Sequence, residues 1–210
     1  MFLFLALCLS CNFAVAQVVN GYAKVTAISL ATLTLSNVNE AADTFEDNEW
    51  VVIMQMQGDV IGTTTDVVGF GNLSSINSTG LYEIRQIDSH TESGGVPTSI
   101  TLKNTPNFTY DICTNCSVQI ITFKKFGTTD YTTTANMSAL PWDGNIGGVL
   151  AFYVAGKLTL AHNLTADEDG FRGAATNAGG STGCTGSSSY RLATNVNYAD
   201  KGEGIYKRTN

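Results

Sequence analysis

Short runs of alternating apolar and polar residues recur along the chain as far as residue 139. They are rich in Val, Ile, Thr and aromatic residues and are separated by polar or glycine-containing turns, which is typical of β-strands. After residue 16, apolar residues at helical spacing are not sustained for three turns anywhere. The pattern predicts an all-β chain with strands over 22–28, 31–35, 50–56, 80–87, 99–102 and 117–123, the last of them buried. Ser93-Gly94-Gly95 predicts a turn between the fourth and fifth of these strands.

Strands at this spacing indicate a compact antiparallel domain. Many short strands joined by turns are typical of a small antiparallel β-barrel or sandwich, and we expect one over residues 17–139. A strong turn signal, Pro141-Trp142-Asp143-Gly144, follows it. Proline presets φ and an Asp-Gly pair accepts positive φ, so the chain is predicted to reverse there.

Three further apolar runs lie within residues 140–169. The uncharged run 149–155 is bounded by glycines, which predicts a strand buried on both faces. The alternation at 157–160 places Leu158 and Leu160 on a buried side, and 163–165 offers a third short strand. Two interpretations fit equally: a hairpin meander, or the first coil of a β-solenoid.

Residues 170–210 differ in composition from the rest of the chain. Glycine alternates with Ala, Ser, Thr and Asn, so little apolar surface is available to offset the entropy of ordering the backbone. We expect a glycine-rich, irregular segment that becomes ordered only against a β-solenoid. The ending at Asn210 resembles an interruption, and we expect a truncated gene product.

The first sixteen residues, MFLFLALCLSCNFAVA, predict a signal peptide. Ala14 and Ala16 supply the small residues that signal peptidase requires, although no basic residue precedes them. The apolar run is shorter than the roughly 20 residues of a membrane-spanning helix. Lipid attachment at Cys11 is a weaker alternative, because Cys8 stands where an aliphatic residue is expected. We therefore expect a secreted or cell-surface protein that is not an integral membrane protein.

The charge of the chain limits the classes of molecule that it is expected to bind. The chain has 11 basic and 18 acidic residues, a formal net charge of −7, and no basic patch. Nucleic acid binding depends on such a patch, so no nucleic acid partner is expected. Only 14% of the residues are charged, and Thr, Asn, Ser and Gly are abundant, which favours an extracellular β protein over a helical cytosolic enzyme.

The CxxC motif at Cys113 and Cys116 is the clearest candidate for chemistry. A redox-active CxxC needs a helix N-terminus to lower the thiol pKa, but here a predicted strand follows, so a local disulfide is the favoured interpretation. Cys184 is then the odd thiol of the mature chain. A zinc site would need further ligands, and His90 and His162 do not stand at ligand-like spacing.

The remaining candidates lack a supporting context. The acidic cluster 167–169 precedes a glycine, but it lacks the spaced ligands of a calcium-binding loop and is predicted to be a solvated turn. No nucleophile motif accompanies either histidine. We predict no catalytic residue, no cofactor-binding residue and no metal ligand. Four aromatic residues could stack on sugars, although in β domains such residues more often fill the core: Trp50, Trp142, Phe152 and Tyr153.

Five motifs of this chain are shared with a known class of protein. They are WVVIMQMQG (50–58), GLYE (80–83), PWDGNIGGVLA (141–151), GFRG (170–173) and KGEGI (201–205). In these motifs and their order, the chain resembles the N-terminal region of large, secreted, adhesin-like surface proteins of the Bacteroidota. The resemblance implies export by the general pathway and then by the type IX system. It implies no activity, because the motifs consist of structural residues.

The chain departs from this class in three places. It lacks a C-terminal sorting domain, its glycine tract is short, and Cys113 and Cys116 stand where a plain loop is expected. We expect a non-catalytic N-terminal structural or adhesion module that binds a surface ligand, with a glycan as the candidate. The alternative is the ancillary domain of a secreted polysaccharide-acting hydrolase whose catalytic part is absent.

Overall fold

The structure is a computed structural model that describes residues 16–58, 76–173 and 202–205. In this part of the chain all regular secondary structure is β-strand, with six strands of six or more residues and seven strands of two residues. In chain order they are β1 (Gln17–Val18), β2 (Tyr22–Ser29), β3 (Thr32–Asn39), β4 (Trp50–Gln57), β5 (Tyr82–Ser93), β6 (Val96–Leu102), β7 (Ser117–Thr122), β8 (Lys124–Lys125), β9 (Tyr131–Thr132), β10 (Met137–Ser138), β11 (Phe152–Tyr153), β12 (Leu158–Thr159) and β13 (Leu164–Thr165).

The six long strands form a closed antiparallel barrel. Their order around the barrel is β2-β3-β6-β5-β4-β7, and β7 pairs with β2 to complete the circle. Closure leaves no sheet edge exposed. The predictions of an all-β chain and a small antiparallel barrel are confirmed, and the barrel is found in place of the sandwich.

Two tight turns set the register of the barrel hairpins. Gly94 and Gly95 link β5 to β6 with φ of 64° and 77°, at the predicted turn. Between β2 and β3 the positive φ falls on a non-glycine residue, Leu30, at 53°. An L-residue with a branched side chain adopts this conformation at a cost, so the hairpin pairing must hold Leu30 in place.

The barrel is filled by side chains that alternate along the strands. β7 is unusual because all six of its residues are buried. Val118 and Ile120 face the barrel core, while Ile121 belongs to a second cluster outside it, with Tyr22 and Ile146. One face of β7 therefore lies inside the barrel and the other is covered by the segment that follows residue 139. The core includes Val25, Leu33, Phe45, Ile53, Ile87 and Ile100.

The short strands pair in parallel at a nearly constant sequence offset. Lys124 pairs with Phe152, Tyr131 with Leu158 and Met137 with Leu164, so β8-β11, β9-β12 and β10-β13 each join residues 27 or 28 positions apart. β1 adds a further parallel neighbour to β10, giving the order β1-β10-β13. Strands β8, β9 and β10 precede the predicted boundary at 139, and the division of the chain into domains stays a prediction.

The prediction for 149–155 is wrong. Only Phe152–Tyr153 is a strand, and the run is half-buried on one side rather than enclosed on both. Its first residues cross the barrel surface, where barrel side chains rather than a neighbouring strand bind their backbone. Leu160, predicted to be buried, is 59% exposed, whereas the short strand predicted at 163–165 is present as β13. The predicted signal peptide and most of the glycine-rich segment lie outside the described residues.

Candidate functional site

Cys113 and Cys116 are joined in a disulfide directly before β7. The Sγ atoms are 2.07 Å apart, and the Cys116 N–H donates to the Cys113 carbonyl oxygen at 3.1 Å. Cys116 is buried, and Ser117 starts the strand. No helix N-terminus lies beside this pair in the part of the chain described, so the bond closes a loop. Cys184 lies outside the described residues.

The acidic cluster 167–169 is a tight turn. Glu168 has φ 66°, and the Asp169 N–H donates to the Ala166 carbonyl at 3.2 Å. Burial raises the pKa of Asp169, and the nearby carboxylates of Asp167 and Glu168 raise it further. Across the described ranges, no group of three or more His, Cys, Asp and Glu side chains is arranged to hold a metal ion.

The two histidines lie in different places. His90, on β5, contacts Asp47 Oδ1 through Nδ1 at 2.6 Å and Glu92 Oε1 through Nε2 at 3.4 Å. The hydrogen bond with Asp47 raises the pKa of His90, and the nearby charges of Asp47 and Glu92 add to the effect. His162 precedes β13, and its backbone N–H donates to Thr133 Oγ1 at 2.7 Å. Among the described residues, neither ring is hydrogen-bonded to a nucleophilic side chain.

A set of buried polar side chains binds the barrel to the segment 140–151. Asn20 Nδ2 donates to the carbonyl oxygens of Thr122, at 2.8 Å, and Ala151, at 2.5 Å, while its Oδ1 accepts from the Ala151 N–H at 3.1 Å. Gln119 on β7 similarly donates to the Gly147 carbonyl at 2.9 Å and accepts from the Gly147 N–H at 2.8 Å. Each amide therefore satisfies both polar groups of one backbone residue, as a paired strand would.

Tyr22 completes this set. Its hydroxyl donates to the Val149 carbonyl at 2.6 Å and accepts from the Leu140 N–H at 3.1 Å. Burial raises the pKa of Tyr22 to about 12, so the hydroxyl keeps its proton at any physiological pH. The three residues Asn20, Tyr22 and Gln119, here called the amide clamp, fix the segment on the barrel from end to end.

A second cluster joins three of the motifs that carry the resemblance. Trp142 is 3% exposed and meets the ring of Phe171 edge-on at 5.6 Å between centroids. Trp142 Nε1 donates to Glu203 Oε2 at 3.1 Å, and Arg172 donates to both oxygens of the same carboxylate at 2.9 and 2.5 Å. The bond from Arg172 lowers the pKa of Glu203. We call these four residues the Trp142 cluster.

Sequence reasoning identified the motifs of the Trp142 cluster but missed the amide clamp. The sequence predicted that the strand at 117–123 is buried, and all six residues of β7 are buried. What it did not indicate is that backbone groups of a distant segment cover the face that carries Ser117 and Gln119. The available signal was the uncharged run at 149–155, because its apolar side chains have to pack against another surface of the protein.

Trp50 and Trp142 occupy opposite environments. The sequence favoured a core position for aromatic residues, and Trp142 is buried, but Trp50 at the start of β4 is 48% exposed. Trp50 lines a cleft of about 340 Å³ between the 43–49 connection and the end of β7. Tyr153 is also exposed, and Phe152 is half-buried with its ring edge-on to Phe126 at 5.5 Å.

Comparisons with known proteins give no match. No protein family, no curated protein and no solved structure compared with the chain matches it. Within the described ranges there is also no helix of the length and apolarity needed to cross a membrane. The amide clamp and the Trp142 cluster hold backbone segments together rather than placing reactive groups opposite one another. The function of the protein is therefore inferred from its own sequence and structure.

Proposed function

We propose that this chain is the non-catalytic N-terminal module of a secreted cell-surface protein, in which the barrel begins a β-solenoid. The proposal rests on the nearly constant sequence separation of the paired residues in three successive parallel strand pairs, which is 27 or 28 residues. Successive coils of a solenoid stack in this way, because each repeat pairs only with its neighbours. A hairpin meander would pair its strands antiparallel, in reverse register.

The barrel supplies what a solenoid needs at its start. The last barrel strand ends at Thr122 and the next short parallel strand, β8, begins at Lys124, so a single residue separates them. The amide clamp then fixes the returning chain on the barrel surface, and Gln57 of β4 donates to the carbonyl oxygen of Gly204, next to the Trp142 cluster. Terminal repeats require a cap that covers their apolar end, and the barrel has this role in the proposal.

The other end of the stack offers a place for continuation. Among the described residues, β11, β12 and β13 each have one parallel neighbour. Strands with an unpaired side accept another strand readily. A further coil of the same protein adds there in our proposal, and the extended stack carries surface contacts away from the cell. Adhesion through reach and repeated weak contacts needs no catalytic group.

Cysteine cross-linking in the full chain tests the parallel register. Thr132 and Thr159 are both exposed and are register partners in β9 and β12. In a Cys184→Ser background, the pair Thr132→Cys and Thr159→Cys is expected to oxidise readily, because directly paired residues lie within disulfide reach. The control pair is Thr132→Cys with Lys157→Cys, two residues out of register. Equal oxidation of both pairs, measured by mass spectrometry, would contradict a fixed parallel register.

Turnover assays test the non-catalytic part of the proposal. The purified chain is incubated with neutral and acidic polysaccharides, and released reducing ends are measured. We expect none above the background of a heat-denatured sample. Release that persists through purification would overturn the proposal in favour of a hydrolase.

A further inference from the structure

The Trp50 cleft lies where the barrel ends and the short parallel strands begin. Its walls are the 43–49 connection, the first residue of β4 and the chain from the end of β7 through β8. At about 340 Å³ it falls within the roughly 300–1,000 Å³ of small-molecule sites. None of the residues of the amide clamp or the Trp142 cluster lines it.

An aromatic surface forms one side of the cleft. Trp50 leaves 48% of its surface in water although the same chain buries Trp142 almost completely. Burying an aromatic ring is strongly favourable, so a half-exposed indole in a cleft gives up stabilisation that a ligand can recover. Phe123, half-buried, lines the same cleft. The cleft therefore offers ring faces to a ligand with an apolar side.

Charged groups surround these rings. Lys124 Nζ and Asp43 Oδ1 form an ion pair at 2.6 Å, which ties the 43–49 connection to β8. Glu49 and Lys125 also line the cleft, and within the described residues their side chains form no hydrogen bond or ion pair. The ion pair of Asp43 and Lys124 therefore fixes one wall of the cleft. The carboxylate of Glu49 and the ammonium group of Lys125 lie beside it and are available to a ligand.

We propose that the Trp50 cleft binds a neutral hexopyranose unit of a polysaccharide. A pyranose ring has an apolar C–H face that packs on an indole, and its hydroxyls both donate to a carboxylate and accept from an ammonium group. An entirely apolar ligand would bury Glu49 and Lys125 without partners, which is costly. An anionic ligand would meet three carboxylates, of Asp43, Glu46 and Glu49, against two lysines.

Fluorescence of the full chain tests the site, because its two tryptophans differ in exposure. Acrylamide quenches exposed indoles, so Trp50 is expected to be quenched and the buried Trp142 protected. Neutral oligosaccharides of glucose, galactose and mannose are titrated separately, and isothermal titration measures affinity. At least one is expected to bind and to protect Trp50 from acrylamide. Binding by none of them, or tighter binding by an oligogalacturonate, would overturn the proposal.

Variants separate stacking from folding. Trp50→Ala is expected to weaken binding by at least tenfold and Trp50→Phe by less, because the latter keeps a ring. Glu49→Gln is expected to weaken binding severalfold, whereas Tyr82→Ala, at a residue that is 62% exposed and outside the cleft, leaves it unchanged. Equal binding by Trp50→Ala and the unmodified chain would overturn the proposal. The cross-linking result above does not depend on glycan binding, so the two proposals can fail separately.

Discussion

At the scale of single residues, buried amide groups replace strand pairing between the barrel and the segment 140–151. Asn20 and Gln119 each present a donor and an acceptor in fixed geometry, which is the complement of a peptide backbone. A carboxylate has the same shape but only accepts. The amide is therefore required, and isosteric acids should fail at both positions.

Asn20 provides the sharpest test of this requirement. Asn20→Ala leaves buried backbone groups of Thr122 and Ala151 without partners, at an expected cost of about 1–3 kcal/mol in the free energy of unfolding. Asn20→Asp should cost at least as much at neutral pH, because a carboxylate then faces two carbonyl oxygens. Urea unfolding measures both variants. An Asn20→Asp variant as stable as the unmodified chain would show that the hydrogen bonds of the Asn20 side-chain amide do not contribute to stability.

His90 makes stability depend on pH. Its pKa is raised above 6.5 by the bond to Asp47, so its contribution is fully present below pH 6.5 and is lost as pH rises through the folded-state pKa. His90→Gln should lower the unfolding free energy by about 0.5 kcal/mol near about pH 5.5, where the imidazole is charged, and by almost nothing once the pH exceeds the folded-state pKa of His90. Asp47→Asn is the matched control and should flatten the same profile. A pH-independent difference between His90→Gln and the unmodified chain would contradict this account.

At the scale of elements, the segment 140–151 depends on a close approach of its own backbone at Gly147. Gly147 has φ 104°, and a Cβ atom built there would stand 2.6 Å from the carbonyl oxygens of Leu140 and Pro141. The same residue is held by Gln119. No larger residue fits this point, which lies shortly after the predicted turn at 141–144 and is one of the points where the segment reaches the barrel.

Gly147→Ala should therefore destabilise the protein by about 3 kcal/mol, since strain and a backbone clash add together. Gly94→Ala is the control: its φ is also positive, at 64°, but open space surrounds it, so about 1 kcal/mol is expected. Thermal or urea unfolding compares the two. Equal losses would mean that the close approach at Gly147 has no energetic effect.

The elements that the sequence predicted well are those whose pattern is local. Alternation located the six barrel strands, and Gly94 and Gly95 located a hairpin turn, because each depends on neighbours in the chain. The run at 149–155 was misassigned because its partner is a distant barrel face. Parallel pairing at an offset of 27 or 28 residues also leaves little local trace, since each strand has only two residues.

The candidate site was predictable only in part. The CxxC spacing led to a proposed disulfide at Cys113 and Cys116, and the structure contains that bond. The exposure of Trp50 could not be read from the sequence, because WVVIMQMQ looks like a wholly buried strand. The ring is left in water because Trp50 is the first residue of β4, directly after a polar connection.

At the scale of the whole molecule, several specific contacts connect the barrel with the segments that precede and follow it. β1 precedes the barrel in sequence but pairs with β10 after it, and Asn20 bonds to both Thr122 and Ala151. Gln57 of β4 also donates to the Gly204 carbonyl oxygen at 2.7 Å, beside Glu203 of the Trp142 cluster. We therefore expect the barrel and the short strands to unfold as one cooperative unit.

Heating should consequently give a single transition for both regions. Hydrogen exchange measured by mass spectrometry is expected to show amides of β4 and β7 and those of β9 and β12 becoming exposed together. Two separate transitions in the unmodified chain would contradict this expectation. In Gly147→Ala the parallel strands should instead open first.

The large sequence separation between Asn20 and its hydrogen-bond partners also has a consequence for the rate of folding. Partners of Asn20 stand 102 and 131 residues further along the chain, and the barrel cannot close before β7 is available. Topologies dominated by such distant contacts fold slowly, because loop entropy must be overcome first. A chain that emerges N-terminus first therefore remains unfolded until most of it has appeared. An unfolded chain can pass through a narrow channel.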